Sequence, residues 1–193
     1  MRACFMGLGY IGLPTAIIAA KHGIDVIGVD INKEVVETTN EGRLHIIEPG
    51  LESLLKDVVT NGKLKAYIEP QICDAYFIVV PTPFKGDHEP DISYVEAATR
   101  MVIPLLKPND LFVIESTSPV GTTEKMMNLI YETRPELKGL IYIAYCPERV
   151  LPGNVIYELE NNDRVIDGIK EASTEKATEF YRIFVKGTLH STN

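Results

Sequence analysis

Apolar and polar positions along the chain alternate between two kinds of block. Ala3–Met6, Asp25–Val29, Ala75–Val80, Leu111–Glu115 and Leu140–Tyr145 are short, largely apolar runs. Runs without polar alternation suit strands buried on both faces, the mark of a parallel sheet. Between them lie longer segments with helical spacing: Ile11–His22, Lys33–Asn40, Pro49–Val59, Asp91–Leu106 and Thr122–Tyr131. In the third of these, Leu51, Leu54, Leu55 and Val58 share one face. Asn32 stands where a helix cap is expected. Pro81-Thr82-Pro83 forces an abrupt exit from a strand, and the polar stretch Phe84–Pro90 reads as a loop. Val165-Ile166 suggests a short late strand, and Thr174–Val185 a last helix with Ser173 as its cap. Strands alternating with helices predict an α/β fold, a doubly wound parallel sheet with helices on both faces. No repeat, low-complexity tract or Gly/Ser-rich linker interrupts the pattern, so residues 1–193 are expected to form one domain.

Composition narrows the chemistry. The 193 residues carry 27 Asp and Glu against 19 Lys and Arg, a formal net charge of -8. That balance, with no basic cluster, argues against a nucleic acid partner. Cys4, Cys73 and Cys146 are widely spaced and form no Cys-x-x-Cys pair, which suits reduced thiols better than disulfides or a metal site. No apolar run approaches the roughly 18 to 20 residues that span a bilayer, and the N-terminus lacks a secretory pattern. A soluble, cytoplasmic protein is expected, with no membrane and no metal partner.

The first strand runs into Gly7-Leu8-Gly9-Tyr10-Ile11-Gly12. Gly7 permits a tight turn, Gly9 leaves backbone bare for a pyrophosphate, and Gly12 lets the following helix sit close to the strand. The helix start offers unpaired amides to phosphate. Asp30 closes the next strand about 20 residues on, where an acid binds the ribose hydroxyls of a dinucleotide. Its charge would repel a 2′-phosphate, which favours NAD over NADP. Lys33, just beyond, is placed to cover the adenine or reach the phosphates. The same fingerprint opens flavoproteins, although no further feature favours flavin. As bare turn and packing residues the glycines would need no ligand at all.

Four ordered segments carry a resemblance. Gly7–Pro14, Val80-Pro81-Thr82-Pro83, Glu115–Thr123 and Cys146–Gly153 resemble the motifs of the UDP-glucose/GDP-mannose dehydrogenase family. The likeness covers essentially the whole chain and implies a Rossmann-like NAD-binding domain. Pro147–Gly153 most resembles the branch that oxidises UDP-N-acetyl-D-mannosamine; the glucose branch tends to have Phe-Leu after the glutamate. Members oxidise the sugar C6 alcohol to a carboxylate in two hydride transfers to NAD, through a thiohemiacetal on a cysteine. The resemblance implies that Tyr10, Ile11, Asp30 and Lys33 contact adenosine and phosphates. It places Pro81 and Thr82 on the nicotinamide side, and Thr117 near the reacting carbon. It makes Glu148 the acid that assists water, and Arg149 and Val150, with Glu148, contacts of the UDP-sugar. A homodimer of the full-length enzyme is also implied.

Taken alone, Thr82 and Thr117 follow predicted strands at the sheet edge where such folds bind ligands. They read equally well as strand-end caps between prolines. Glu148 reads as a water-activating acid or as a solvated surface acid, and Arg149 as a surface ion-pair partner. The family's nucleophilic cysteine and its oxyanion-stabilising lysine and asparagine are expected beyond Asn193, where a long helix would begin, so this chain alone is expected to be inactive. Cys4, Cys73 and Cys146 are expected to be structural. Asp167 stands where the family usually has glycine, which predicts strain or a reshaped wall on the substrate side. The competing readings are a UDP-glucose 6-dehydrogenase domain and a stand-alone dinucleotide-binding protein without chemistry.

Overall fold

A computed structural model describes residues 1–86 and 88–192; of the expected loop, Asp87 lies outside the described residues, as does Asn193 at the expected helix start. In chain order the elements are β1 (Arg2–Met6), α1 (Gly12–Lys21), β2 (Asp25–Val29), α2 (Lys33–Asn40), α3 (Leu51–Thr60), β3 (Leu64–Tyr67) and β4 (Ala75–Ile78). There follow β5 (Phe84–Lys85), β6 (Glu89–Pro90), α4 (Ser93–Val102), β7 (Leu111–Ile114), α5 (Thr122–Thr133) and β8 (Tyr142–Tyr145). The last elements are α6 (Val155–Asn161), β9 (Arg164–Gly168), α7 (Glu171–Tyr181) and β10 (Leu189–Thr192).

Eight strands form one sheet in the order β10-β9-β8-β7-β4-β1-β2-β3. From β3 to β8 all pairings are parallel. The order of these six is that of a doubly wound nucleotide-binding sheet, with its switch point between β1 and β4. β9 departs from the all-parallel expectation. It pairs antiparallel to β8, with Tyr145 opposite Asp167 and Ala144 opposite Gly168. This reversal carries Arg164, the first residue of β9, to the carboxyl edge of the parallel strands.

The central strands β1, β4 and β7 bury both faces, as their unbroken apolar runs predict. Ala3 and Phe5 of β1 and Phe77 of β4 point into one layer with α1, α3, α6 and α7. Cys4 and Met6, with Tyr76 and Ile78, point into the other, under α4 and α5. Phe5 stacks on Phe77 at 4.8 Å, and Phe77 meets Phe180 of α7 at 4.3 Å. Gly12 through Ala20 of α1 are all buried, which the small residues of GLPTAIIAA allow.

Several short elements lie outside the expected set. β3 is four residues long with Lys65 exposed, β10 is a mostly exposed edge strand, and α6 has seven residues. Their patterns are too brief to show a period. The stretch read as a loop pairs Phe84 with Pro90 and Lys85 with Glu89. Asn32 does cap α2, accepting from the Glu34 N–H at 3.0 Å. Ser173 does not cap α7. It lies inside the first turn, buried, and its hydroxyl accepts from the Ile143 N–H at 3.2 Å. Asp167 brings no backbone strain: it sits in the regular β9 ladder with its side chain exposed, and among the described residues the non-glycine positions of positive φ are His88 and Asn109.

Candidate cofactor and active site

The switch point opens into a cleft of about 510 Å³ at the carboxyl edge of the sheet. The parallel strands β2, β1, β4, β7 and β8 each send C-terminal residues or the loop after them here: Val29 to Ile31, Met6, Gly7 and Gly9, Val79 to Thr82, Glu115 to Thr117, and Glu148. Tyr94, Ala98 and Met101 of the α4 region form the apolar wall.

Two glycines of the turn are required by packing. Gly7 has φ +101°, and a Cβ on it would fall 2.4 Å from the Val79 carbonyl oxygen. A Cβ on Gly12 would lie 1.9 Å from the Gly7 carbonyl oxygen. A Cβ on Gly9 would meet nothing within 4 Å. The missing side chain at Gly9 therefore serves no internal contact and leaves bare backbone facing the cleft. Asp30 is anchored by two main-chain donors, Leu8 N–H to Oδ2 at 3.0 Å and Asn32 N–H to Oδ1 at 2.9 Å. Each carboxylate oxygen keeps further acceptor capacity, and Asp30 lines the cleft. Bare backbone, the α1 N-terminus and an anchored acid fit a dinucleotide.

Among the expected cofactor residues, Gly7, Gly9, Tyr10, Ile11, Asp30, Pro81, Thr82 and Thr117 line this cleft. Gly12 is buried behind the turn. Lys33 is exposed and lies outside the lining. Thr82 and Thr117 are joined directly, the Thr82 hydroxyl donating to the Thr117 carbonyl at 2.7 Å. That bond uses the hydroxyl proton, so Thr82 presents acceptor lone pairs to a ligand. Ser116 pins the two strand ends together, donating to the Val80 carbonyl at 2.7 Å and accepting from its N–H at 2.9 Å.

Glu148 is no solvated surface acid. Its side chain is 6% exposed and paired with Arg164, which is 3% exposed. Its Oε1 accepts from the Arg149 N–H at 2.7 Å. Glu148 lines the main cleft and also a second, polar cavity of about 430 Å³ with Pro147, Arg149 and Asp163. Arg149 is exposed there. Val150 turns into the core instead, 9% exposed, so only its backbone is free to meet a substrate. Glu48, distant in sequence, holds this segment: its two oxygens accept from the Gly153 and Val155 N–H groups, each at 2.9 Å.

Three buried residues behind Glu148 were not singled out from sequence. Glu115 accepts from the Tyr181 hydroxyl at 2.6 Å. Burial pushes the Glu115 carboxyl up to about 7; Arg164 and the Tyr181 hydroxyl oppose this, and Glu148 adds to it. Burial works against the Arg164 charge, but Glu148, Cys146 and Glu115 outweigh it and hold its pKa above the ordinary value. The Arg164 guanidinium also lies 4.9 Å from the Tyr181 ring centre, within cation–π range. The clue available in sequence was the run Asp163-Arg164-Val165, an arginine beside a strand. All three cysteines are buried, and burial drives the Cys146 thiol up to about 12, far from the range of a nucleophile at neutral pH. Among the described residues no helix is long and apolar enough to cross a membrane.

A six-strand parallel sheet in this order, a glycine turn at its switch point and an acid closing β2 define a dinucleotide-binding domain of the dehydrogenase kind. The chain belongs to the UDP-glucose/GDP-mannose dehydrogenase family, whose NAD binding domain matches residues 1–185. It is 52% identical, over 97% of its length, to a UDP-N-acetyl-D-mannosamine dehydrogenase of Escherichia coli (strain K12), of which it covers 47%. It is 50% identical, over its whole length, to one from Campylobacter jejuni, of which it covers 49%. The fold matches a UDP-N-acetyl-mannosamine dehydrogenase of Staphylococcus aureus with a TM-score of 0.95 and 39% identity, over 100% of this chain and 47% of that one. A UDP-N-acetyl-D-mannosamine dehydrogenase structure from Pyrococcus horikoshii matches with a TM-score of 0.92 and 44% identity, again over 100% and 47%. The chain thus spans about half the length of the curated relatives it matches.

Proposed function

We propose that this chain supplies the cofactor half of an NAD-dependent dehydrogenase that oxidises the C6 alcohol of UDP-N-acetyl-D-mannosamine to a carboxylate. The observation that carries the reading is convergence. The glycine turn and Asp30 share one cleft with Thr82, Thr117 and Glu148. Asp30 receives the adenosine ribose hydroxyls, and the bare turn with the α1 N-terminus receives the pyrophosphate. Tyr10 and Ile11 flank the adenosine, and Lys33 reaches the phosphates from outside the cleft. NAD held there supplies the hydride acceptor. Thr82 offers an acceptor to the nicotinamide amide, beside Pro81. Thr117 stands near the reacting carbon.

Glu148 orients a water and takes its proton in the hydrolytic step, while Arg164 holds the carboxylate at the cleft floor. Arg149, exposed beside the second cavity, meets the anionic part of the UDP-sugar, with the Val150 backbone alongside. Three buried cysteines provide no nucleophilic thiol, so the thiohemiacetal chemistry is not complete in these 193 residues. The working enzyme is a cytoplasmic homodimer containing this domain.

Fluorescence titration with NADH and with NADPH tests the cofactor site. Saturable binding of NADH with much weaker binding of NADPH is expected; no NADH binding by a folded sample overturns it. Turnover of UDP-N-acetyl-D-mannosamine against UDP-glucose, by the enzyme containing this domain, tests the sugar.

A further inference from the structure

The cluster behind Glu148 has more acids than its single cation can serve. Arg164 forms the ion pair with Glu148. Glu115, 2% exposed, also lines the cleft, and its main-chain carbonyl accepts from the Glu148 N–H at 3.4 Å. One Glu115 oxygen takes the Tyr181 hydroxyl, while Oε2 is buried without a hydrogen-bond partner, as is Arg164 Nη1. Glu115 and Arg164 both pack on Tyr181, the one at its hydroxyl and the other over its ring. A buried carboxyl with an open oxygen thus shares one cluster with a partly unsatisfied guanidinium and is poised between two charge states. The titratable groups facing it are Glu148 and Cys146 from the end of β8 and the loop after it, Arg164 from β9, and Tyr181 from α7.

We propose that Glu115 is a positioning residue for Glu148: while protonated it leaves Arg164 to Glu148, and once ionised it competes for the guanidinium and releases the Glu148 carboxylate toward water in the cleft. The proposal rests on the reading of Glu148 as the water-assisting acid. The balance is one proton, lost from Glu115 to solvent through the cleft it lines; no other bond changes. Burial sets the transition near neutrality, since the carboxyl is pushed up to about 7. The Glu148-assisted step therefore speeds up as pH rises through that point.

The test reads the carboxyl itself. In the 193-residue chain with ¹³C-labelled glutamate, one side-chain carboxyl should titrate near pH 7 and vanish in Glu115→Gln. Tyr181→Phe, which removes a bond to the ionised form, should move it up. Glu148→Gln, which removes a neighbouring negative charge, should move it down by about one pH unit. A midpoint indifferent to Glu148→Gln, or no carboxyl titrating near neutrality in folded protein, overturns the coupling whether or not the chain belongs to a sugar dehydrogenase. In the active enzyme, Glu115→Gln should hold the pH profile at its low-pH plateau. A variant profile that still climbs like the wild type overturns the positioning role. Full turnover in Glu148→Gln would overturn the functional reading instead, and the carboxyl titration keeps the two failures apart.

Discussion

The Asp30 carboxylate binds the main-chain N–H of Leu8 at 3.0 Å, so the acid at the end of β2 holds the glycine turn that follows β1. One side chain thus shapes the phosphate loop and faces the expected ribose. Asp30→Ala should weaken NADH binding by roughly 1.5 to 3 kcal/mol, the worth of hydrogen bonds to a charged group. Calorimetric titration checks this, and an unchanged dissociation constant would remove Asp30 from the site.

Gly9 and Gly12 should part company under the same substitution. Gly12→Ala drives a Cβ to within 1.9 Å of the Gly7 carbonyl oxygen. The obstacle is the Gly7 backbone, which cannot yield as a flexible side chain would, so a loss of about 3 kcal/mol or more is expected. Gly9→Ala meets nothing and should change stability by no more than about 0.5 kcal/mol, yet weaken NADH binding strongly. Thermal melts paired with titration separate the two, and a stable Gly12→Ala protein would contradict the packing argument.

Glu115 makes the fold's stability depend on pH in a particular direction. Below the ordinary glutamate value, about 4.5, the carboxyl is neutral in both folded and unfolded chains. Between there and about 7 only the unfolded chain ionises it, so its burial becomes progressively more costly and then levels off. Glu115→Gln should therefore raise stability at pH 8 by roughly 2 to 4 kcal/mol and change little at pH 4. Denaturant melts at the two pH values read this, and an equal effect at both would refute it.

Glu48 should govern the order of the segment after Glu148. Glu48→Ala strips acceptors from the Gly153 and Val155 amides at the start of α6. A loss of about 2 to 4 kcal/mol is expected from two charged hydrogen bonds. Hydrogen exchange should quicken at those two amides first; unchanged protection there would show that other contacts hold the turn.

Arg164 cannot be removed without stranding a carboxylate. Arg164→Leu should destabilise by about 3 to 5 kcal/mol, because Glu148 would remain buried beside it without a counter-charge. The double variant with Glu148→Gln should recover much of that loss. Equal stability of the single and double variants would contradict the pairing.

What could be read in sequence follows the range over which each interaction acts. Asp30 was legible because strand, turn and helix impose a fixed spacing on it. Asn32 was legible as a cap because its partner Glu34 is two residues away. The Tyr181–Glu115 bond joins residues 66 apart, and Arg164 reaches Glu148 only because β9 runs antiparallel. No local period encodes either relationship. Ser173 has the chemistry of a cap, but the edge of β8 claims its hydroxyl. Val150 belongs to a motif with a functional resemblance, yet its side chain answers to the core. β3 and α6 are stabilised by tertiary packing on patterns too short to announce themselves.

The burial of the thiols has a further consequence for a reaction that passes through an aldehyde. An aldehyde condenses with any amine and adds to any reactive thiol it meets. The cleft lining contains neither lysine nor cysteine among the described residues, and the Cys146 thiol beneath it is held protonated by burial. Hydroxyl, carboxylate and aliphatic groups make up most of that wall. Under the proposed chemistry this half of the enzyme is an inert vessel: it can press against an electrophile through two oxidations without becoming a product of it.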